Sequence, residues 1–132
     1  MKKLLVFLHG FGLKRDENSE FVATLANKID ADAISLESAL PSGRARGGFA
    51  WFPLRDADAN GHRAAITDGF IQNSANFIRA AVDNLLLARG QNWDDVILCG
   101  RSQGGFMAMY IALGRERERE LRAANGDIAV RK

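Results

Sequence analysis

The hydrophobic positions along the chain fall into two kinds of run. Leu4-Leu5-Val6-Phe7-Leu8 is apolar without alternation, which predicts a strand covered on both faces, as in a parallel sheet. His9-Gly10-Phe11-Gly12 closes it with a glycine-rich turn. Asp95-Val96-Ile97-Leu98-Cys99 reads as another strand, and residues 31–36 (ADAISL) as a weaker one. Between them the spacing becomes helical. Residues 19–28 put Phe21, Val22 and Leu25 on one face, with Ser19 placed to cap the N-terminus. Residues 66–88 repeat Phe70, Ile71, Phe77, Ile78, Ala81, Val82, Leu85 and Leu86 at helical spacing, and Gly90 is the natural stop. Residues 104–113 predict a short apolar helix that GRERERELR (114–122) continues as a charged surface helix, with pairs such as Glu118–Arg122. A turn at Asn125-Gly126 leads to Ile128-Ala129-Val130, the start of a fourth strand. Residues 41–63 form a long glycine-rich loop that holds both prolines and the aromatics Phe49, Trp51 and Phe52. A loop of that length in a compact domain is usually functional or disordered, and its aromatics favour a binding surface. The order β-α-β-loop-α-β-α-(β) predicts an α/β fold around a parallel sheet flanked by helices, as one domain over residues 1–132.

Composition changes this picture little. The chain has 132 residues and a net charge of +2. No basic stripe is interleaved with aromatics, so nucleic acid is not expected as a partner. The single cysteine, Cys99, has no internal disulfide partner, which fits a reducing compartment. The five-residue run at the N-terminus is shorter than the roughly 7–15 apolar residues of a signal peptide. No stretch reaches the roughly 20 apolar residues of a membrane span. A soluble, cytoplasmic protein is expected.

Residues 100–104 read Gly-Arg-Ser-Gln-Gly between a predicted strand and a predicted helix. Gly-x-Ser-x-Gly at that junction is the nucleophile elbow: glycines leave room for a tight turn that lifts the serine hydroxyl above the sheet. The following helix points its N-terminus at the site, where free N–H groups favour negative charge. The N–H of Gln103 is placed to bind the oxyanion of a tetrahedral intermediate. The pentapeptide alone is a weak signal, and a tight turn using Ser102 merely as a helix cap is the plain alternative. The loop at His9-Gly10-Phe11-Gly12 strengthens the catalytic reading, because a second oxyanion N–H is expected after an early strand.

LLVFLHGFG, PSGRARGGFAWFPL, the long helix and VILCGRSQGGFMAMYIAL together resemble the phospholipase/carboxylesterase family of α/β-hydrolases, which includes acyl-protein thioesterases. The specific marks are Ser-Gln-Gly-Gly and Trp51-Phe52 after a glycine-rich loop. The resemblance implies hydrolysis of small-molecule carboxylic esters or thioesters with no cofactor and no metal. It implies Ser102 as nucleophile, the N–H groups of Phe11 and Gln103 as oxyanion hole, and Trp51 and Phe52 beside the acyl pocket. Arg101 departs from the aromatic or small residue usual there; it faces solvent or favours an anionic substrate.

A serine hydroxyl needs a base to take its proton and an acid to orient that base. The α/β-hydrolase order is Ser, then Asp or Glu, then His, yet no histidine follows Ser102. Glu116, Glu118 and Glu120 belong to the charged helix; Asp127 opens a strand rather than closing one, and Asp94 and Asp95 lie at the wrong end of theirs. His9 belongs to the oxyanion loop and is expected to shape it. His62, in the long loop, remains a candidate substitute base. The expectation is therefore the N-terminal portion of a serine hydrolase, stopping after the elbow helix and nearly inactive alone. The alternatives are a non-catalytic module that binds a ligand or partner, a dimer paired through an exposed sheet edge, and a hydrolase completed by a second polypeptide.

Overall fold

The protein is described here by a computed structural model, over residues 1–54 and 63–125. In chain order its elements are β1 (Leu4–Leu8), α1 (Ser19–Ile29), β2 (Asp32–Leu36), β3 (Leu40–Pro41), β4 (Phe49–Ala50), α2 (Arg63–Arg89), β5 (Val96–Gly100) and α3 (Gln103–Asn125). Strands β2, β1 and β5 form a parallel sheet in that order. The apolar run of β1 sits at its centre for the reason its sequence gives: every one of its side chains is buried, on alternate faces. Leu4, Val6 and Leu8 pack with Ile78, Val82 and Met107 against α2 and α3. Leu5 and Phe7 pack with Val22 and Ala26 of α1 on the other side. Each such burial stabilises the fold by about 1.5–3 kcal/mol.

Helix α2 presents Ile71, Ala75, Ile78, Val82 and Leu86 to the core at spacings of three and four residues. It ends at Gly90, whose φ of +67° is the left-handed turn that releases a helix. The N–H of Gln91 then donates to the Leu86 carbonyl at 3.0 Å. Next to β5, Trp93 donates its indole N–H to Asp83 of α2 at 2.7 Å, and the Arg115 guanidinium of α3 lies 4.2 Å above its ring. These contacts tie both helices to the start of β5.

Three expectations are corrected in detail. The segment after residue 41 is not all loop: β3 and β4 pair as a small antiparallel ribbon. Two-residue strands are too short for any periodicity to announce, and Gly47 and Gly48, with φ of +84° and +82°, supply the turn. Ser19 does not cap α1. A 3₁₀ turn, Arg15–Asn18, runs directly into that helix, so Asn18 holds the cap position. The long helix begins at Arg63 rather than 66, inside the expected loop. The apolar and charged segments after Ser102 form one continuous helix, as their sequence suggested. The turn at Gly126, Asp127, the strand of Ile128–Val130 and His62 lie outside the described residues. No helix among the described residues is long and apolar enough to cross a membrane.

Candidate active site

Because the sheet is parallel and in register, Leu8, Leu36 and Gly100 end side by side. The loops that follow them gather at one end, where open α/β sheets place their chemistry. Ser102 occupies the turn between β5 and α3 and is exposed. Its φ of +52° is left-handed, a conformation a serine adopts only when its surroundings enforce it. Here the surroundings are glycines. A Cβ on Gly104 would overlap the Leu8 carbonyl, and one on Gly100 would overlap the backbone of Gly104. The elbow thereby sits backbone to backbone on the end of β1. Arg101 is pinned by its N–H to the Leu8 carbonyl at 3.1 Å, with its side chain exposed. The Ser102 carbonyl accepts from Phe106 N–H at 3.0 Å and opens the ladder of α3.

The loop after β1 leans on the same turn. A Cβ on Gly10 would stand 3.3 Å from the Arg101 carbonyl and 3.7 Å from Ser102 Cβ. Phe11 follows directly. Among the described residues, no carbonyl accepts from the N–H of Phe11 or of Gln103. The second of these is the first helical residue of α3, where N–H groups lack an intrahelical acceptor.

His9 is fully buried behind this loop. Its Nδ1 lies 2.7 Å from the Gly10 carbonyl, and its Nε2 accepts from Ser38 N–H at 3.1 Å. An acceptor on one nitrogen and a donor on the other fix a neutral imidazole protonated on Nδ1. Burial lowers its pKa below 6.5; the Gly10 carbonyl and the charges of Glu37 and Glu17 oppose that shift without cancelling it. Both nitrogens are committed, so His9 shapes the loop, as the sequence suggested, and has no free position to receive a proton from Ser102. Cys99, on β5, is no substitute nucleophile: burial pushes its thiol up, away from the reactive thiolate.

Trp51 stacks on the His9 ring at 4.9 Å and donates its indole N–H to the His9 carbonyl at 2.8 Å. It is fully buried, so it braces the site from behind and presents no face to an open pocket. Phe52 is half-buried and meets Phe106 edge-on at 5.5 Å, beside the elbow. Gln103 holds this loop with its side chain. Its Oε1 accepts from Trp51 N–H at 2.6 Å and Phe52 N–H at 3.5 Å, while its Nε2 donates to the Phe52 carbonyl at 2.7 Å. Sequence reasoning had used only the backbone of Gln103. It also missed Ser38, which bonds His9 through its N–H and the Ala50 carbonyl through its hydroxyl. Both act across more than ten residues of chain, where no periodicity points; a polar side chain wedged between motif glycines is the one signal that marks Gln103.

The tight strand-to-helix turn at Ser102 and the parallel sheet flanked by helices are those of an α/β-hydrolase. The family model for phospholipase/carboxylesterase matches residues 1–123, and the chain belongs to that family. Among solved structures, esterase PE8 is similar over 85% of this chain and 51% of its own, with 28% identity and a TM-score of 0.62. A variant of SOBER1 from Arabidopsis thaliana is similar over 86% of this chain and 55% of its own, with a TM-score of 0.63; at 19% identity this likeness speaks for the fold alone. The chain thus spans about half the length of these two structures. A comparison with curated proteins finds no match.

Proposed function

We propose that this chain carries the nucleophile half of a serine hydrolase for carboxylic esters or thioesters. The observation that carries the proposal is the left-handed Ser102, clamped by Gly100 and Gly104 against the end of β1. In this reading Ser102 Oγ attacks the carbonyl carbon, and the N–H groups of Phe11 and Gln103 receive the oxyanion. Two such donors, fixed before the substrate arrives, stabilise the tetrahedral intermediate without reorganisation. Phe52, with Phe106 beside it, borders the acyl group, and Trp51 supports that wall from the core. In this reading the base that takes the Ser102 proton is not His9, whose imidazole is fully engaged.

Hydrolysis of a short p-nitrophenyl ester tests this. The chain is expected to exceed buffer by no more than roughly 10³–10⁴, the level left by oxyanion-hole and binding effects, and mass spectrometry after reaction with the ester is expected to find an acyl group on Ser102 that Ser102→Ala lacks. A chain that acquires no acyl group on Ser102 overturns Ser102 as nucleophile. Turnover on the order of 10 s⁻¹, ordinary for a complete enzyme, overturns the missing base if Ser102→Ala abolishes it. A second reading, a non-catalytic module that binds a ligand or completes its sheet with a partner strand, has one observation in its favour. Among the described residues β5 is paired on one side only, by β1. A chain that acquires no acyl group on Ser102 would favour it.

A further inference from the structure

One arginine, Arg101, directly precedes Ser102 and another, Arg44, stacks on the loop after β1; simple ester hydrolysis has no use for either. The guanidinium of Arg44 lies 5.1 Å over the ring of Phe11, the residue proposed to give one oxyanion N–H. Stacking of this kind holds the flat cation in place and leaves its edge N–H groups free to donate. An open groove of about 600 Å³ runs beside it, lined by Phe11, Gly12, Leu13, Arg44, Ala45 and Arg46.

The loop that bears Arg44 is tied to the oxyanion loop. Gly12 N–H donates to the Phe49 carbonyl at 2.8 Å, and Phe49 N–H donates to the Leu13 carbonyl at 3.0 Å. Gly48, at positive φ, comes so close to the Gly12 carbonyl that a Cβ there would strike it. Within the loop, Arg44 N–H donates to Ser42 Oγ at 3.1 Å, and Gly47 N–H donates to the Arg44 carbonyl at 2.9 Å. Arg44 is thus anchored with respect to Phe11, and through Gly10 with respect to Ser102.

The charge around the groove is uneven. Glu17 is engaged by Arg46 at 3.3 Å and by Lys14 N–H at 3.0 Å. Arg44 and Arg101 are exposed, and among the described residues neither pairs with a carboxylate. One cation therefore lies over Phe11 and one stands immediately before Ser102 in the chain. A neutral ester gains nothing from them, whereas a substrate with a second, anionic group gains charge-assisted hydrogen bonds.

We propose that Arg44 and Arg101 select esters or thioesters that carry an anionic group, a carboxylate or a phosphate, in addition to the scissile bond. The proposal rests on the reading of Ser102 as the reacting centre. NMR titration of the 132-residue chain tests it by following the amides of Phe11 and Gln103 and the side-chain N–H groups of both arginines. The probes are methyl butyrate (neutral), monomethyl glutarate (carboxylate) and acetoxyethyl phosphate (phosphate). At low salt at least one anionic ester is expected to bind roughly tenfold tighter than methyl butyrate, and which one does so separates the two anion classes. Arg44→Gln and Arg101→Gln are each expected to weaken that anionic ester about threefold and to leave methyl butyrate unchanged. Equal affinity for neutral and anionic esters overturns the proposal. So does an anionic advantage that survives both substitutions, or an equal loss for all three probes, which would mean that Arg44 merely shapes the loop. Ser102→Ala changes turnover and not these dissociation constants, so failure of the nucleophile and failure of the selectivity are read separately.

Discussion

On the β1 side of Ser102 the chain is packed backbone to backbone; on the β5–α3 side, among the described residues, it is open. Toward β1, Gly104 rests on Leu8, Gly10 rests on the Arg101 carbonyl, and His9, Trp51 and Gln103 are all buried, with Trp51 donating hydrogen bonds to the other two. Toward the far side of β5, Met109 and Leu113 of α3 are 60% and 62% exposed. A groove of about 330 Å³ there is lined by Val96, Leu98, Met109, Ala112, Arg115 and others. The difference follows from what each side does. Holding a serine in a left-handed turn needs neighbours that cannot yield, and these residues supply them. The proposed reaction also needs a base, and His9, engaged on both ring nitrogens, does not offer one.

The sharpest way to break the comparison is one methyl group on the packed side. Gly104→Ala directs a Cβ into the Leu8 carbonyl, where both partners are backbone and neither can rotate away. Overpacking of that kind costs on the order of 3 kcal/mol or more. Urea unfolding of the variant is expected to show that loss, or no cooperative transition at all. A loss below about 1 kcal/mol would mean that the elbow yields, and that the strain at Ser102 is not enforced from β1.

The packed side was also the more legible in the sequence. The unbroken run Leu4–Leu8 announced a central strand, and Gly100, Ser102 and Gly104 announced the elbow, because steric demands of that kind leave glycines at fixed positions. The helices followed from their apolar spacing, and Gly90 from the need for a left-handed stop. What escaped was held by single long-range hydrogen bonds. The Gln103 side chain reaches Trp51 and Phe52, and Ser38 reaches His9; no local pattern records such a reach. Trp51 was expected beside the acyl pocket because the family resemblance implies it there. Its indole N–H, satisfied by the His9 carbonyl, allows it to be buried completely.

A smaller effect sharpens the same side through pH. Burial holds the pKa of His9 in the folded chain below the 6.5 of a free imidazole. Between those two values the unfolded chain binds a proton that the folded chain refuses, so its contribution is fully present above about 6.5 and is lost as pH falls through the folded value. The slope from this one group is at most about 1.4 kcal/mol per pH unit. His9→Gln keeps an oxygen to accept from Ser38 N–H but does not titrate. Melting curves from pH 7.5 to 5.5 are expected to fall more steeply for the natural chain than for His9→Gln, although the variant is less stable throughout. Parallel curves would remove His9 as the source of the acid sensitivity.

The smallest expected effect lies on α3, beyond the packed turn, and has the opposite sign. Gly114 is a helical glycine in the middle of α3. A Cβ there meets only the far end of the Arg79 side chain, at 3.2 Å, which can swing aside. Alanine at such a position removes backbone entropy from the unfolded chain and adds helix propensity. Gly114→Ala is therefore expected to stabilise the protein by about 0.5–1 kcal/mol, read as a higher urea midpoint with an unchanged slope. The same methyl group thus weakens the fold ten residues earlier in the helix and strengthens it here, because in one place it meets backbone and in the other a movable arginine. If Gly114→Ala instead costs as much as Gly104→Ala, the outer half of α3 is packed as tightly as the elbow, and the contrast between the two sides of Ser102 disappears.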